Sequence, residues 1–386
     1  MMNFKKTLIA LFAIIAIGGT AMAQNALNLK ALEDKIASLD QKNDAFNFYI
    51  NLQNSANTYF NSDDYEGIDF KTNQLRLEMR GEIVKGVRYR VRQRMNRGTT
   101  AENLDNLSTA TDIASISIDL AKNFTVTGGK QCTAFGGYEF DLNPIDVYQF
   151  SDMVDNITCF LTGVDFAYQM DDQQFRFQIV NSRNSSLSDE YKTANNVESS
   201  KNALGYTLNW NGNLFDGIVQ TRWSYSLFQE TKEMSTNLIA LGTQVKLGKK
   251  AQIQFDWMNS NEDIDTKGIV SGMINNGMSA TDVVYNSLIA KIDYRLNKKF
   301  NMFVKGMYET ATNDGNKDEN LDDEFRKSYA YMAGVEFHPI ADDLKVFFTY
   351  TGRFFDYESS ITENLGIQDQ HTNRLSLGLI YRLKMY

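Results

Sequence analysis

Residues 74–94 read QLRLEMRGEIVKGVRYRVRQR. Leu75, Leu77, Met79, Gly81 and Ile83 alternate with Gln74, Arg76, Glu78, Arg80 and Glu82; after Lys85-Gly86, Val87, Tyr89 and Val91 alternate with Arg88, Arg90, Arg92 and Arg94. A period of two marks a strand, because successive side chains point to opposite faces. Lys85-Gly86 is short enough to close a hairpin. One face of that hairpin is apolar, and the other carries six arginines and two glutamates. Which face meets water depends on how many such strands the chain has.

From Ala45 onward the alternation recurs, closing with Leu375, Leu377, Leu379, Tyr381 and Leu383 against Arg374, Ser376, Gly378, Arg382 and Lys384. It predicts about sixteen strands, near 45–60, 70–84, 86–97, 111–120, 123–131, 158–170, 173–183, 200–211, 215–227, 235–247, 251–260, 284–296, 299–312, 327–338, 342–354 and 372–385. Short connections (Lys85-Gly86, Lys122-Asn123, Asp171-Asp172, a turn at Gly212, Gly248–Lys250, Asn297-Lys298, a turn at Pro339) take turns with long ones near 61–69, 98–110, 132–157, 184–199, 261–283, 313–326 and 355–371, with one shorter connection at 228–234. Short turns at one end and long loops at the other are the pattern of an outer-membrane barrel. Sixteen strands enclose a lumen too wide for side chains to fill. The apolar face must therefore point to lipid and the charged face to water. The fold expected is all-β, a transmembrane antiparallel β-barrel over residues 45–386.

Composition agrees. The chain has 386 residues, a net charge of -9, 19 Tyr, 25 Phe and 2 Pro, and its mean hydropathy of -0.39 excludes a helical membrane protein. Scarce proline suits extended sheet, and both prolines, Pro144 and Pro339, fall in connections. The acidic balance argues against a nucleic-acid partner. Lys5 and Lys6, the apolar run Leu8–Ile17 and Ala21-Met22-Ala23 have the order of a secretory signal ending at residue 23. Between it and the barrel, residues 24–44 place Leu29, Leu32, Ile36 and Leu39 at heptad spacing. This predicts a short periplasmic helix, either a plain tail or a stub that associates with its copies.

Arg88, Arg90, Arg92 and Arg94 share one strand face, and Arg76 and Arg80 join them from the adjoining strand. A water-filled lumen solvates such a column, and passing anions are drawn along it; the plainer reading is a charged face without selectivity. The 132–157 connection carries Glu139, Asp141, Asp146, Asp152 and Asp155 and no Lys or Arg. Asn143 suits a helix N-cap, Pro144 the first helical position, and Leu142 with Val147 a hydrophobic staple. Val147, Phe150 and Val154 would then share one face of a short helix. We read this loop as folded into the lumen with its acids opposite the arginine column, the alternative being a flap folded outward.

The sixteen-stranded plan, an inward third loop with a short helix and a basic wall facing acids resemble the trimeric general porins. The heptad stub before a barrel, and the wording Gly136-Gly137-Tyr138-Glu139-Phe140-Asp141, are similar to the phosphate-selective porins O and P of Bacteroidota. The resemblance implies a homotrimer of pores in the outer membrane of a Gram-negative bacterium, set among lipid and lipopolysaccharide and passing small hydrophilic solutes and ions. A selective anion path needs a constriction free of competing carboxylates. The acid-rich loop therefore favours a general diffusion pore over an anion- or phosphate-selective one.

Rival classes find less support. An enzyme would need His338 or His371, which fall at opposite ends of the barrel, and a structural barrel would be smaller and plugged by side chains. No cofactor is expected. The stretch 314–322 resembles a calcium loop but has Glu319 where that loop needs Gly and Phe325 where it ends in Glu; it reads as a solvated acidic loop, with a surface Ca2+ as the second reading. Cys132 and Cys159 flank the long acidic loop on neighbouring strands in an oxidising compartment, which predicts a disulfide, with two free thiols as the alternative.

Overall fold

The computed structural model describes residues 45–62, 64–100, 104–192, 197–316, 318–340 and 343–385. The expected signal segment 1–23, the helical stub 24–44 and Tyr386 lie outside them. The rest forms one closed antiparallel barrel in which every strand pairs with its sequence neighbour and the first pairs with the last. The strands are β1 (Asn47–Asn61), β2 (Asp64–Val84), β3 (Val87–Arg94), β4 (Thr111–Ala121), β5 (Phe124–Cys132), β6 (Phe160–Met170), β7 (Gln173–Asn181), β8 (Leu204–Leu214), β9 (Val219–Gln229), β10 (Ser235–Leu247), β11 (Ala251–Ile264), β12 (Thr281–Arg295), β13 (Phe300–Asn313), β14 (Glu324–Phe337), β15 (Leu344–Tyr357) and β16 (Gln370–Lys384). All sixteen expected strands are present.

Alternation sets the faces. Arg76, Glu78 and Arg92 on β2 and β3 are buried inside, while Ile83 and, on β4, Ile116, Ile118 and Leu120 stand exposed outside. Rings such as Phe166, Phe177, Trp210, Trp223, Tyr331 and Tyr350 pair across strands, Tyr331 being 42% exposed. An exposed apolar belt of this extent is tolerated only against lipid. The wall is uneven: β3 to β9 run 8–11 residues, whereas β10 to β16 run 13–15.

Two connections differ from expectation. The 61–69 stretch is not a loop, because β2 starts at Asp64 and continues the hairpin opposite Asn61; two register shifts break the period of two across the exposed Tyr65, Ile68 and Phe70 and hid the strand. The turn expected at Gly212 lies at 215–218. Gly212 is instead inside β8, where a Cβ would meet Thr221 Oγ1 at 2.7 Å and Gln173 Oε1 at 2.8 Å. Phe215 and Asp216 take φ of 54° and Gly217 of 77° to turn the chain.

Candidate functional site

The third long loop runs inward from Cys132 to Cys159, and its neck is closed by the Thr133 N–H donating to the Cys159 carbonyl at 2.7 Å. It first lies flat against the wall. Gly136 and Gly137, at φ of 71° and 74°, make this approach possible; a Cβ at Gly136 would meet the Arg222 carbonyl at 2.8 Å. The Gly137 N–H donates to that carbonyl at 2.8 Å, and the Tyr138 N–H donates to the Asp256 carboxylate at 2.8 Å.

Each expected acid then finds a place. Glu139 pairs with Lys305 and accepts from the Ser151 N–H at 3.2 Å. Asp141 pairs with Arg222, and Asp146 with Lys345 at 2.6 Å. Asp152 is held by both Arg326 and Arg353, while its N–H donates to Glu309 at 2.7 Å. Asp155 is exposed to the cavity. The partners of the first four sit on β9, β13, β14 and β15. The loop lies against the wall, and four of its five acids are held there by wall cations; Asp155 remains in the cavity that the arginine column lines.

The expected helix also gives way to that wall. Asn143 does cap, accepting from the Ile145 N–H at 3.5 Å, but the helix is a single 3-10 turn, Pro144–Asp146. Beyond it, wall cations take the carbonyls a helix would use: Arg374 donates to Tyr148 O at 2.8 Å and Lys305 to Gln149 O at 2.9 Å. Tyr148 stacks on Phe303 with centroids 5.3 Å apart and donates to Glu336 at 2.7 Å. Burial, and then the Glu336 carboxylate, push its phenol well above its usual range, so it stays a donor. Two further single turns, α1 (Tyr138–Asp141) and α2 (Asp152–Asp155), complete the loop. Phe135 and Met153 bury themselves with Phe228, Met258, Ile289 and Met307. After α3 (Leu187–Glu190), two later loop helices, α4 (Ile269–Ile274) and α5 (Ser359–Leu365), add Val270 and Ile361 to this core.

Open space is left on the opposite side, in a cavity along β2 to β8 of ≈ 2650 Å³ counted out into the solvent. The arginine column forms three groups, of which the first two line this cavity. Arg76, Arg92 and Arg94 share Asp112 at 3.1, 3.2 and 3.0 Å. Arg80 and Arg90 share Glu78 at 3.7 and 3.1 Å. Arg88 grips Asp119 with two bonds of 2.6 Å at the end near the Lys85-Gly86 turn. Sequence reasoning missed Asp112 and Asp119. Asp119 shares the inward parity of Ser115 and Ser117, so alternation could have found it. Asp112 could not be found this way, because the register shift between Arg92 and Gln93 turns it inward.

The disulfide is not formed: Cys132 and Cys159 are free thiols in contact with each other. Register explains it. Cys132 pairs with Phe160 and Thr133 bonds to Cys159, so the two cysteines are one position out of step rather than directly opposite. Among the described residues no three His, Cys, Asp or Glu side chains converge to hold a metal; Phe325, in place of a calcium loop's last carboxylate, is fully buried in the core. His338 lies 3.9 Å from Glu336 and His371 3.8 Å from Asp356, at opposite barrel ends.

The family described as phosphate-selective porin O and P matches residues 46–383. The chain belongs to that family. No curated relative matches the sequence. Among solved structures, this porin is similar to the outer membrane channel DcaP of Acinetobacter baumannii (11% identity, 88% of this chain and 97% of that one, TM-score 0.61). It is also similar to an anion-selective porin from Comamonas acidovorans (11%, 88% and 99%, 0.59) and to OmpT of Vibrio cholerae in trimer form (12%, 88% and 99%, 0.55). At such identities the likeness concerns the fold. Family, barrel and cavity together make this porin an outer-membrane channel of a Gram-negative bacterium, and point away from an enzyme.

Proposed function

We propose that this porin passes small anions in preference to cations, along the arginine column. The observation that carries the proposal is the charge of the open cavity. Its lining has nine Arg and Lys against five Asp and Glu, in a chain whose net charge is -9. Two of those five, Glu139 and Asp141, are held by Lys305 and Arg222 outside the lining, and two of the nine, Lys130 and Arg176, by Asp105 and Asp165 outside it, which leaves seven cations against three acids. Four of the five loop carboxylates that argued for an unselective pore are therefore neutralised where they stand, Asp155 being the exception, and the surplus around Asp112 is two positive charges. Fixed charge along a narrow aqueous path raises the local concentration of the opposite ion.

A homotrimer among lipid and lipopolysaccharide is the assembly this reading takes. It is supported by OmpT's trimer form and by the short wall β3–β5, whose outer face presents the aliphatic Ile116, Ile118 and Leu120. Reversal potentials across planar bilayers in a salt gradient test the function: an anion-signed potential is expected, and a cation-signed one would overturn it.

A further inference from the structure

A second cleft opens beside the arginine column and has a different chemistry. It spans ≈ 690 Å³ counted out into the solvent and shares Gln74, Phe150 and Asp155 with the main cavity. Its barrel side is a row of neutral amides and hydroxyls: Gln53, Ser55 and Asn57 on β1, Gln74 on β2, Ser376 on β16 and Thr349 on β15. Gln53, Ser55, Asn57, Ser376 and Thr349 are each more than nine-tenths buried. Charged groups are few: Lys71 is already engaged with Asp69 and Tyr59, Arg374 with the third loop, and Asp155 stands at the junction.

This row is not fully satisfied. Thr349 Oγ1 and Gln74 Oε1 are buried without a hydrogen-bond partner, and so is Arg76 Nη1 at the head of the arginine column. Buried polar atoms left without partners are costly, so they mark where water or a solute completes the structure. The register places the two chemistries in reach of one small molecule. Gln53 is directly opposite Gln74, and Gln74 stands two residues from Arg76 on the same face, about 7 Å along a strand. Phe150 adds an aromatic surface where the two spaces meet. A phosphate alone uses only the arginines. A neutral sugar uses only the amides.

We infer that the preferred solute is a polyhydroxylated organic anion of the sugar phosphate class, its anionic group at Arg76 and Arg94 and its hydroxyls on Gln53 and Gln74. This rests on the anion-preferring reading above and narrows it. Convergent polar groups beside an apolar surface are how a site fixes a small solute's orientation.

The test is block of chloride current through the full-length porin in planar bilayers. Glucose 6-phosphate, inorganic phosphate and glucose are each titrated. Glucose 6-phosphate is expected to block at about tenfold lower concentration than phosphate, with glucose weaker than both. In Gln53→Ala/Gln74→Ala the ratio between glucose 6-phosphate and phosphate falls towards one, and chloride current in the same trace reports an assembled pore; Gln53→Ala alone is the milder variant. Equal block by glucose 6-phosphate and phosphate, equal block by glucose and glucose 6-phosphate, or a ratio untouched by both variants overturns the inference. A cation-signed reversal potential overturns the anion reading itself and is scored separately.

Discussion

The wall of β2 and β3 and the wall of β13 to β15 carry similar cations and put them to opposite uses. On β13 to β15, Lys305, Arg326, Lys345 and Arg353 are each met by a carboxylate of the third loop. On β2 and β3, six arginines share Asp112, Glu78 and Asp119. One wall uses charge to hold a loop in place. The other keeps charge in excess and facing water. The difference teaches that a basic strand face becomes a pathway only where no other segment arrives to neutralise it.

The comparison breaks most visibly if the loop is released. Asp152→Ala strips the shared carboxylate from Arg326 and Arg353, whose side chains are only 11% and 13% exposed. Breaking a buried pair of this kind costs about 3–5 kcal/mol. The loop should detach, giving proteolytic cleavage within 147–156 and larger, noisier single-channel currents; quiet currents of unchanged size would show that the core around Met153 holds the loop unaided. Next in size is the water-facing wall. Arg90→Ala/Arg92→Ala should shift the reversal potential towards cations, by roughly threefold in permeability ratio for each charge at about 7 Å from an ion in water, while lysine at both positions should shift it little. An unaltered potential would place the narrow region elsewhere.

A smaller effect separates the two walls by screening. The Debye length shrinks from about 30 Å at 0.01 M salt to about 3 Å at 1 M. Anion preference should fade over that range while the loop, pinned by buried pairs, stays protected from protease. Loss of both together would mean that the pinning pairs are as solvated as the column. The smallest effect belongs to the loop's neck. Protein taken directly from membranes should alkylate at both Cys132 and Cys159, and Cys132→Ser/Cys159→Ser should leave ion preference where it was. A linked peptide pair in a non-reduced digest would contradict the free thiols and tie the two halves covalently.

Much of this was written in the chain. The two-residue period from Ala45 to Lys384 fixed strand number and facing, because a strand has only two faces and a one-residue slip would turn charge towards lipid. The same logic placed all six arginines inside, and Asn143 announced its cap. Turn positions were less legible: Gly212 looked like a breaker but serves a close side-chain approach within β8, and Phe215-Asp216 turns the chain although Phe is no turn signal.

What the sequence could not settle was which charges meet. Glu139 and Lys305 are 166 residues apart, and Asp152 and Arg353 are 201 apart. Periodicity reports the face a residue occupies and says nothing about which distant segment will lie across from it. Closing the sheet into a ring and turning 27 residues of loop inward created those contacts, and a bulge carried Asp112 to the arginines against its own parity. The sequence by itself determined a barrel with a charged interior, since alternation is a local property of the backbone. Only the tertiary structure decided that four of the loop's acids meet the cations of β9 and β13 to β15 while Asp112 joins the arginines, since electrostatic pairing depends on distance in space.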